Sequence, residues 1–343
     1  MQFIIVSFLA LSCLPVYLGF LSVVFFSVLL SLLSGLRGVT AGVDYLNYLE
    51  IYRANSLGGI EVGFDFLIRL HNAVFSDFDN FIFITAFLSI FLKVLVLYRT
   101  KINVGFSLFL YFTVLYPYLE FGFIRQSLSL AFFMLSVFFL VFRQRRLLGL
   151  LFFVLSASFH ASAFFMIFVF LIKGRSFIFS KHCTLIIVVV AWGFSIFGLM
   201  SGILEMFLGA NLISEFLPFI SWKLNFYFFN PAYSADPLNP YVMRFFFIFM
   251  VLVYFYERLS PVRPLMIAYS ISVALILLFS FNVQMYTRIG VFASFFEILL
   301  VSFLVRGFHR DSRILAYAFF APFYFLFMVK SAVLFDVFKV SLF

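Results

Sequence analysis

Six ionisable side chains stand out because they are stranded in apolar sequence. Arg37 closes one long hydrophobic run, and Arg125, Arg244 and Arg288 each open another. His160 sits in Ser158-Phe159-His160-Ala161-Ser162, and Asp44 precedes Tyr45-Leu46-Asn47-Tyr48-Leu49-Glu50-Ile51-Tyr52. Guanidinium groups are fixed, permanently charged, bidentate donors that match phosphate oxygens. Imidazole, with an ordinary pKa of about 6.5, suits proton transfer, and a carboxylate can orient or deprotonate a hydroxyl. The set points to a phosphate or pyrophosphate ligand, with His160 or Asp44 handling a hydroxyl and Gln126 beside Arg125 as a further binding group. Plainer roles exist for each. An arginine can snorkel to headgroups or pair with an acidic loop residue, and Asp44 can cap a helix. Tyr45, Tyr48 and Tyr52 share one helical face, which can stack on sugar rings or sit in an interfacial aromatic belt. Asn230-Pro231-Ala232-Tyr233-Ser234-Ala235-Asp236-Pro237 is turn-rich and reads as a lid or a connector.

The elements that must hold these groups follow from composition. Of 343 residues, 65% are hydrophobic and 11% charged, against about 45–50% and about 25% in soluble domains. Apolar runs occur at about 3–14, 16–36, 80–98, 102–119, 123–142, 147–172, 183–204, 241–256, 264–281, 289–305 and 314–335. Several reach the roughly 20 residues that cross a bilayer as a helix, and they are continuous rather than alternating. The expectation is an all-α, polytopic integral membrane protein of about 10–12 transmembrane or re-entrant helices, in one transmembrane domain over 1–343. The N-terminal run reads as a retained first span.

The net charge of +9 comes mainly from short loops, so it is a topology signal and not a nucleic-acid footprint. Arg99 with Lys101, and Arg143 with Arg145 and Arg146, mark cytoplasmic loops. Segments 37–79 and 205–240 are net acidic and are expected outside. For Lys173, Arg175 and Lys181 to lie inside as well, 147–172 must be a broken pair with its outer turn at Ser158–Ser162. The arginines and His160 then gather at the outer face, where ionisable residues at membrane depth are functional candidates. Lys93 and Glu297 are exceptions, lying deeper. His71, His182 and His309 read as ordinary polar positions. Cys13 and Cys183 lie in apolar runs and predict neither a disulfide nor a metal site. Walker, HExxH and GxSxG patterns are absent, so neither cofactor nor metal is expected.

The order Gly35-Leu36-Arg37, Gly42-Val43-Asp44-Tyr45, Glu61-Val62-Gly63-Phe64, Ile124-Arg125-Gln126-Ser127-Leu128, Phe159-His160-Ala161-Ser162-Ala163 and Arg288-Ile289-Gly290-Val291-Phe292 resembles the EpsG family of Wzy-type polymerases of O-antigen, capsule and exopolysaccharide. The resemblance implies a GT-C-like glycosyltransferase of the bacterial inner membrane. It would join undecaprenyl-pyrophosphate-linked oligosaccharide units at the periplasmic face, in the lipid bilayer, alongside a chain-length regulator and a flippase. No nucleotide sugar is needed, because the anomeric pyrophosphate is already activated. Arg125 and Arg288 would counter the charge of the leaving pyrophosphate, supported by Arg37 and Arg244; His160 or Asp44 would serve the attacking hydroxyl, and Gln126, Tyr45 and Tyr48 would bind substrate. A lipid-linked oligosaccharide flippase, a membrane O-acyltransferase of surface polysaccharide and a scaffold without chemistry are the competing readings. A flippase would carry charge through its depth and show internal repeats, neither of which is evident here.

Overall fold

The computed structural model describes residues 19–35, 44–55, 61–172, 180–209 and 230–334. Arg37, Cys13, the run at 3–14 and most of the segment 205–240 fall outside these. Among the described residues, regular structure is helical, apart from one bridge pairing Ser234 with Asn282. The helices are α1 Phe20–Gly35, α2 Tyr45–Arg53, α3 Val62–Val74, α4 Phe78–Thr100, α5 Val104–Val114, α6 Tyr116–Gly122, α7 Ile124–Val137, α8 Arg146–Phe159, α9 Val169–Ile172, α10 Lys181–Ile196, α11 Leu199–Gly209, α12 Pro240–Tyr254, α13 Arg263–Leu278, α14 Val283–Arg306 and α15 Arg310–Leu334. Five helical stretches are long and apolar enough to cross a membrane, and α5 with α6 makes a sixth if counted as one broken span. Five shorter apolar helices accompany them among the described residues. The chain is an all-α polytopic membrane protein, as its composition requires.

The breaks have local causes. Run 102–119 bends by 55° between α5 and α6, because Pro117 cannot donate to the carbonyl one turn back. Run 183–204 divides at Gly198, whose φ of +62° ends α10 in the left-handed conformation that glycine adopts without a Cβ penalty. Run 147–172 breaks at His160, which is extended (φ −157°, ψ 124°). A short 3-10 turn over Ala161–Met166 comes next. The acidic segment 37–79 is not a plain loop: it carries α2 and α3.

Two compact units form, one from the residues up to Phe164 together with those from Val301 on, the other from Phe165–Leu300. Composition gives no hint of this division. In the first unit α1 lies along α4 through Ser27, Ser31, Ser34 and Gly35, and a Cβ on Gly35 would meet Phe83. Small residues let membrane helices approach closely where no hydrophobic force drives them together. Each of these serines returns its hydroxyl to a carbonyl of its own helix, so no donor is left unsatisfied. Tyr317 of α15 binds Asn103 (2.9 Å) and packs edge-on against Phe106.

Deep in this unit Lys93 of α4 is fully buried. Its Nζ donates to Glu120 Oε1 (2.5 Å), Ser89 Oγ (2.8 Å) and Ser127 Oγ (2.5 Å). Tyr111 and Ser127 donate to the same carboxylate at 2.9 and 2.7 Å. Charges taken from water persist only when paired and fully hydrogen-bonded, and this network ties α4, α5, α6 and α7 together. In the second unit α10 packs on α13 and α12 on α13; Trp192 stacks on Phe246, and Ser195 meets Ser280 at 2.5 Å.

Candidate functional site

The site is built on the α7–α8 hairpin. Ser129 Oγ donates to the Ser156 carbonyl (2.8 Å), Ser156 Oγ donates back to the Ser129 carbonyl (2.7 Å), and Ser136 Oγ donates to the Gly149 carbonyl (2.7 Å). These bonds fix an antiparallel register in which a step back along α7 matches a step forward along α8. Carried to the open end, that register sets Arg125 level with His160.

Helix α3 then closes on this end. Gly63 packs on Ser158 so tightly that a Cβ there would run into the serine hydroxyl and lie 3.1 Å from its backbone carbon. The contact delivers Glu61. Glu61 occupies the N-cap of α3, yet its side chain makes no capping bond. Its Oε2 instead receives Arg125 Nη1 at 2.6 Å, and its Oε1 faces His160 Nε2 at 3.9 Å. The guanidinium also lies over the Tyr48 ring, 5.6 Å from its centroid, a cation–π distance. Arg125 Nε is buried with no hydrogen-bond partner among the described residues. The side chains of Arg125, Glu61 and His160 keep 23%, 14% and 12% of their surface exposed, so a solute can reach them.

The turn after His160 holds its ring in place. Ser162 N donates to His160 Nδ1 (3.2 Å), and Ser162 Oγ lies 2.7 Å from the same atom. A backbone N–H can only donate, so Nδ1 is the acceptor and the proton of the neutral ring sits on Nε2, toward Glu61.

The tyrosine face behaves differently from either expectation. Tyr45, Tyr48 and Tyr52 are buried in an aromatic cluster with Phe64, Phe78, Phe81 and Phe159. The Tyr45 hydroxyl binds Asp79 Oδ1 at 2.7 Å. Neither Tyr45 nor Tyr48 is available to stack on a sugar, because both ring faces are covered; Tyr48 serves as a floor beneath Arg125. Burial pushes the Tyr48 hydroxyl above its ordinary pKa, opposed by the Arg125 charge and reinforced by Asp44. Asp44 sits at the N-cap position of α2 without a side-chain capping bond, and acts electrostatically on Tyr48. Gln126 is buried within the bundle. In the same cluster His71 Nδ1 meets the Tyr52 hydroxyl at 2.9 Å. Burial holds the His71 imidazole below its ordinary pKa, offset in part by Asp77.

The second unit holds the other two arginines. Arg244 is buried: Nη2 donates to Ser294 Oγ (3.0 Å) and lies 3.7 Å from Glu297 Oε2, which also receives the Tyr269 hydroxyl at 3.2 Å. Its guanidinium packs 4.3 Å from the Phe245 ring centroid and 5.4 Å from that of Tyr241. The phosphate-binding role expected for Arg244 does not fit this enclosure, because the group is committed to an interior carboxylate. Arg288 is half-buried on α14. It lies about 200° around the helix from Tyr286 and from Gly290, the residues that meet Tyr241. Arg244 therefore points toward α14, whereas Arg288 leaves α14 on the side away from Tyr241.

The residue that sequence reasoning passed over is Glu61. It appears in a motif with Gly63, but an acid in an acidic segment reads as topology. The signal was the glycine two positions on, which marks a close helix approach. Among the described residues no group of His, Cys, Asp and Glu is arranged to hold a metal ion.

Comparison with known families matches the EpsG family model to residues 20–341, nearly the whole chain. The chain belongs to the EpsG family. It is therefore a multi-pass membrane protein of a Wzy-like, polysaccharide-polymerase type. No curated protein and no solved structure matches it.

Proposed function

We propose that this EpsG-family chain is a glycosyltransferase that joins oligosaccharide repeat units carried on undecaprenyl pyrophosphate, at the periplasmic face of the bacterial inner membrane. The observation that carries this reading is the convergence of Arg125, Glu61 and His160 at the open end of the α7–α8 hairpin. A reachable guanidinium stands there beside a carboxylate and an imidazole.

The closed end of that hairpin carries exposed Arg143, Arg145 and Arg146. Basic short loops favour the cytoplasmic side, which supports an outward-facing open end. The chemistry follows from the groups present. An anomeric pyrophosphate leaves with one further negative charge, and a preorganised guanidinium lowers the barrier most where that charge develops. Arg125 takes this part. The attacking hydroxyl is oriented from the His160 side. Arg288 is a second cationic candidate, and Asp44 tunes the Tyr48 floor.

The test is the banding of surface polysaccharide from cells lacking the protein, complemented with wild type or Arg125→Ala. A single repeat unit that only wild type extends to a ladder is the expected result. Loss of even the single unit points to a flippase, and an unchanged ladder with altered acylation to an acyltransferase.

A further inference from the structure

We propose that Glu61 is the catalytic base of this site and that Arg125 keeps it in reserve until the pyrophosphate of the donor arrives. The inference rests on the polymerase reading above and names a residue and a control that the reading does not require.

Three observations lead to it. First, His160 is unsuited to be the base in this state. Nδ1 is occupied by the Ser162 N–H and Nε2 carries the proton, so accepting a proton at Nε2 requires a change of tautomer and loss of the Ser162 bond. Second, Glu61 is the acceptor facing that Nε2–H, at 3.9 Å, one short movement from a hydrogen bond. Its freedom from capping α3 leaves both oxygens for the site. Third, Oε2 is engaged by Arg125 at 2.6 Å, the same guanidinium that a pyrophosphate would recruit. The pair is not the best arrangement for Arg125, whose Nε is buried without an acceptor among the described residues. A buried donor left unmade is costly, so a ligand oxygen that reaches it gains a bond that the pair with Glu61 does not supply.

The sequence of events is then definite. The donor pyrophosphate draws Arg125 away, and Glu61 closes on His160 Nε2–H, which orients it. The acceptor hydroxyl gives its proton to the freed Glu61 oxygen as its own oxygen bonds to the anomeric carbon. The bond from that carbon to the pyrophosphate oxygen breaks with its electron pair, and Arg125 holds the added charge. The proton passes from Glu61 to water when product leaves. Without a donor the carboxylate is masked.

The experiment uses the full chain in lipid nanodiscs. Undecaprenyl pyrophosphate is the binding probe, and the lipid-linked repeat unit extracted from cells lacking the protein is the substrate. Glu61→Gln removes the competitor for Arg125 as well as the base. It should bind the probe at least about threefold tighter, the scale of a partly exposed ion pair, while kcat falls at least about a hundredfold. Probe binding that is unchanged or weaker, or turnover within about tenfold of wild type, overturns the proposal. Should Glu61→Gln aggregate, Glu61→Asp decides: a fall in kcat at unchanged KM supports the base, and unchanged kcat overturns it. Arg125→Gln separates the two claims. Loss of binding and turnover there, with normal turnover in Glu61→Gln, removes only the role of Glu61. Retention of both in Arg125→Gln removes the polymerase site itself.

Discussion

Each compact unit contains an arginine paired with a glutamate and laid against aromatic rings, yet the two pairs serve opposite ends. Arg125 and Glu61 meet at 2.6 Å with 23% and 14% of their side chains exposed, and a histidine stands beside them. Arg244 and Glu297 lie 3.7 Å apart with 3% and 2% exposed; a serine binds the guanidinium and a tyrosine binds the carboxylate. A pair still in contact with solvent can exchange its partner for a ligand, because water screens the charges while they are apart. A pair sealed in the interior cannot be opened without stranding a charge. The same residue types therefore make a site in one unit and a girder in the other, and exposure alone separates them.

The largest expected effect tests that separation directly. Arg125→Ala should reduce polymer formation by about a hundredfold to a thousandfold while leaving the unfolding temperature in detergent close to wild type. Glu297→Ala should do the converse, lowering stability by about 3–5 kcal/mol because the buried Arg244 charge loses its carboxylate. Pairing it with Arg244→Met should recover most of that loss in the same unfolding assay. Equal destabilisation by Glu61→Ala and Glu297→Ala would end the contrast.

Gly63→Ala is intermediate. Its methyl must push α3 off Ser158, costing about 1–3 kcal/mol, and should lower turnover more than stability because Glu61 rides on that helix.

The smallest effect is on pH. His71 has a lowered pKa in the folded chain, so the folded state binds its proton less readily than the unfolded state does. Stability from this residue is complete above about pH 6.5 and declines as pH falls below it. His71→Phe should flatten that part of a thermal-unfolding profile taken across mildly acidic pH.

Much of the fold was legible because membrane spans announce themselves by length. The runs at 80–98, 123–142 and 241–256 match α4, α7 with the π-helical turn Phe138–Phe142 that continues it, and α12 to within about two residues at each end, and 289–305 lies inside α14. The break at His160 was also visible, because the basic residues on either side of 147–172 can share a side only if that run turns back. The bend after Val114 was not, because Pro117 sits inside an otherwise unbroken apolar run. At the site, Arg125 and His160 were legible as polar residues out of place. Glu61 was not, because its meaning depends on α3 docking through Gly63, a contact between distant parts of the chain. Tyr45, Tyr48 and Tyr52 were rightly placed on one helical face, but periodicity does not say what covers a face. The enclosure of Arg244 was not legible for the same reason: its partner Glu297 lies on another helix and is invisible to local sequence.

Lys93 also bears on the order in which the chain is assembled. Lys93 precedes Glu120 by 27 residues, so α4 is synthesised before the carboxylate that satisfies its ammonium. A lysine at mid-helix raises the insertion cost by about 2.5–3.5 kcal/mol. The rest of the 23-residue α4, rich in Phe, Leu and Ile, is apolar enough to carry it. Glu120 arrives on α6, just past the bend, and Ser127 comes after it on α7. The embedded ammonium thus has its carboxylate on the second half of the broken span and its serine on α7, the helix that bears Arg125.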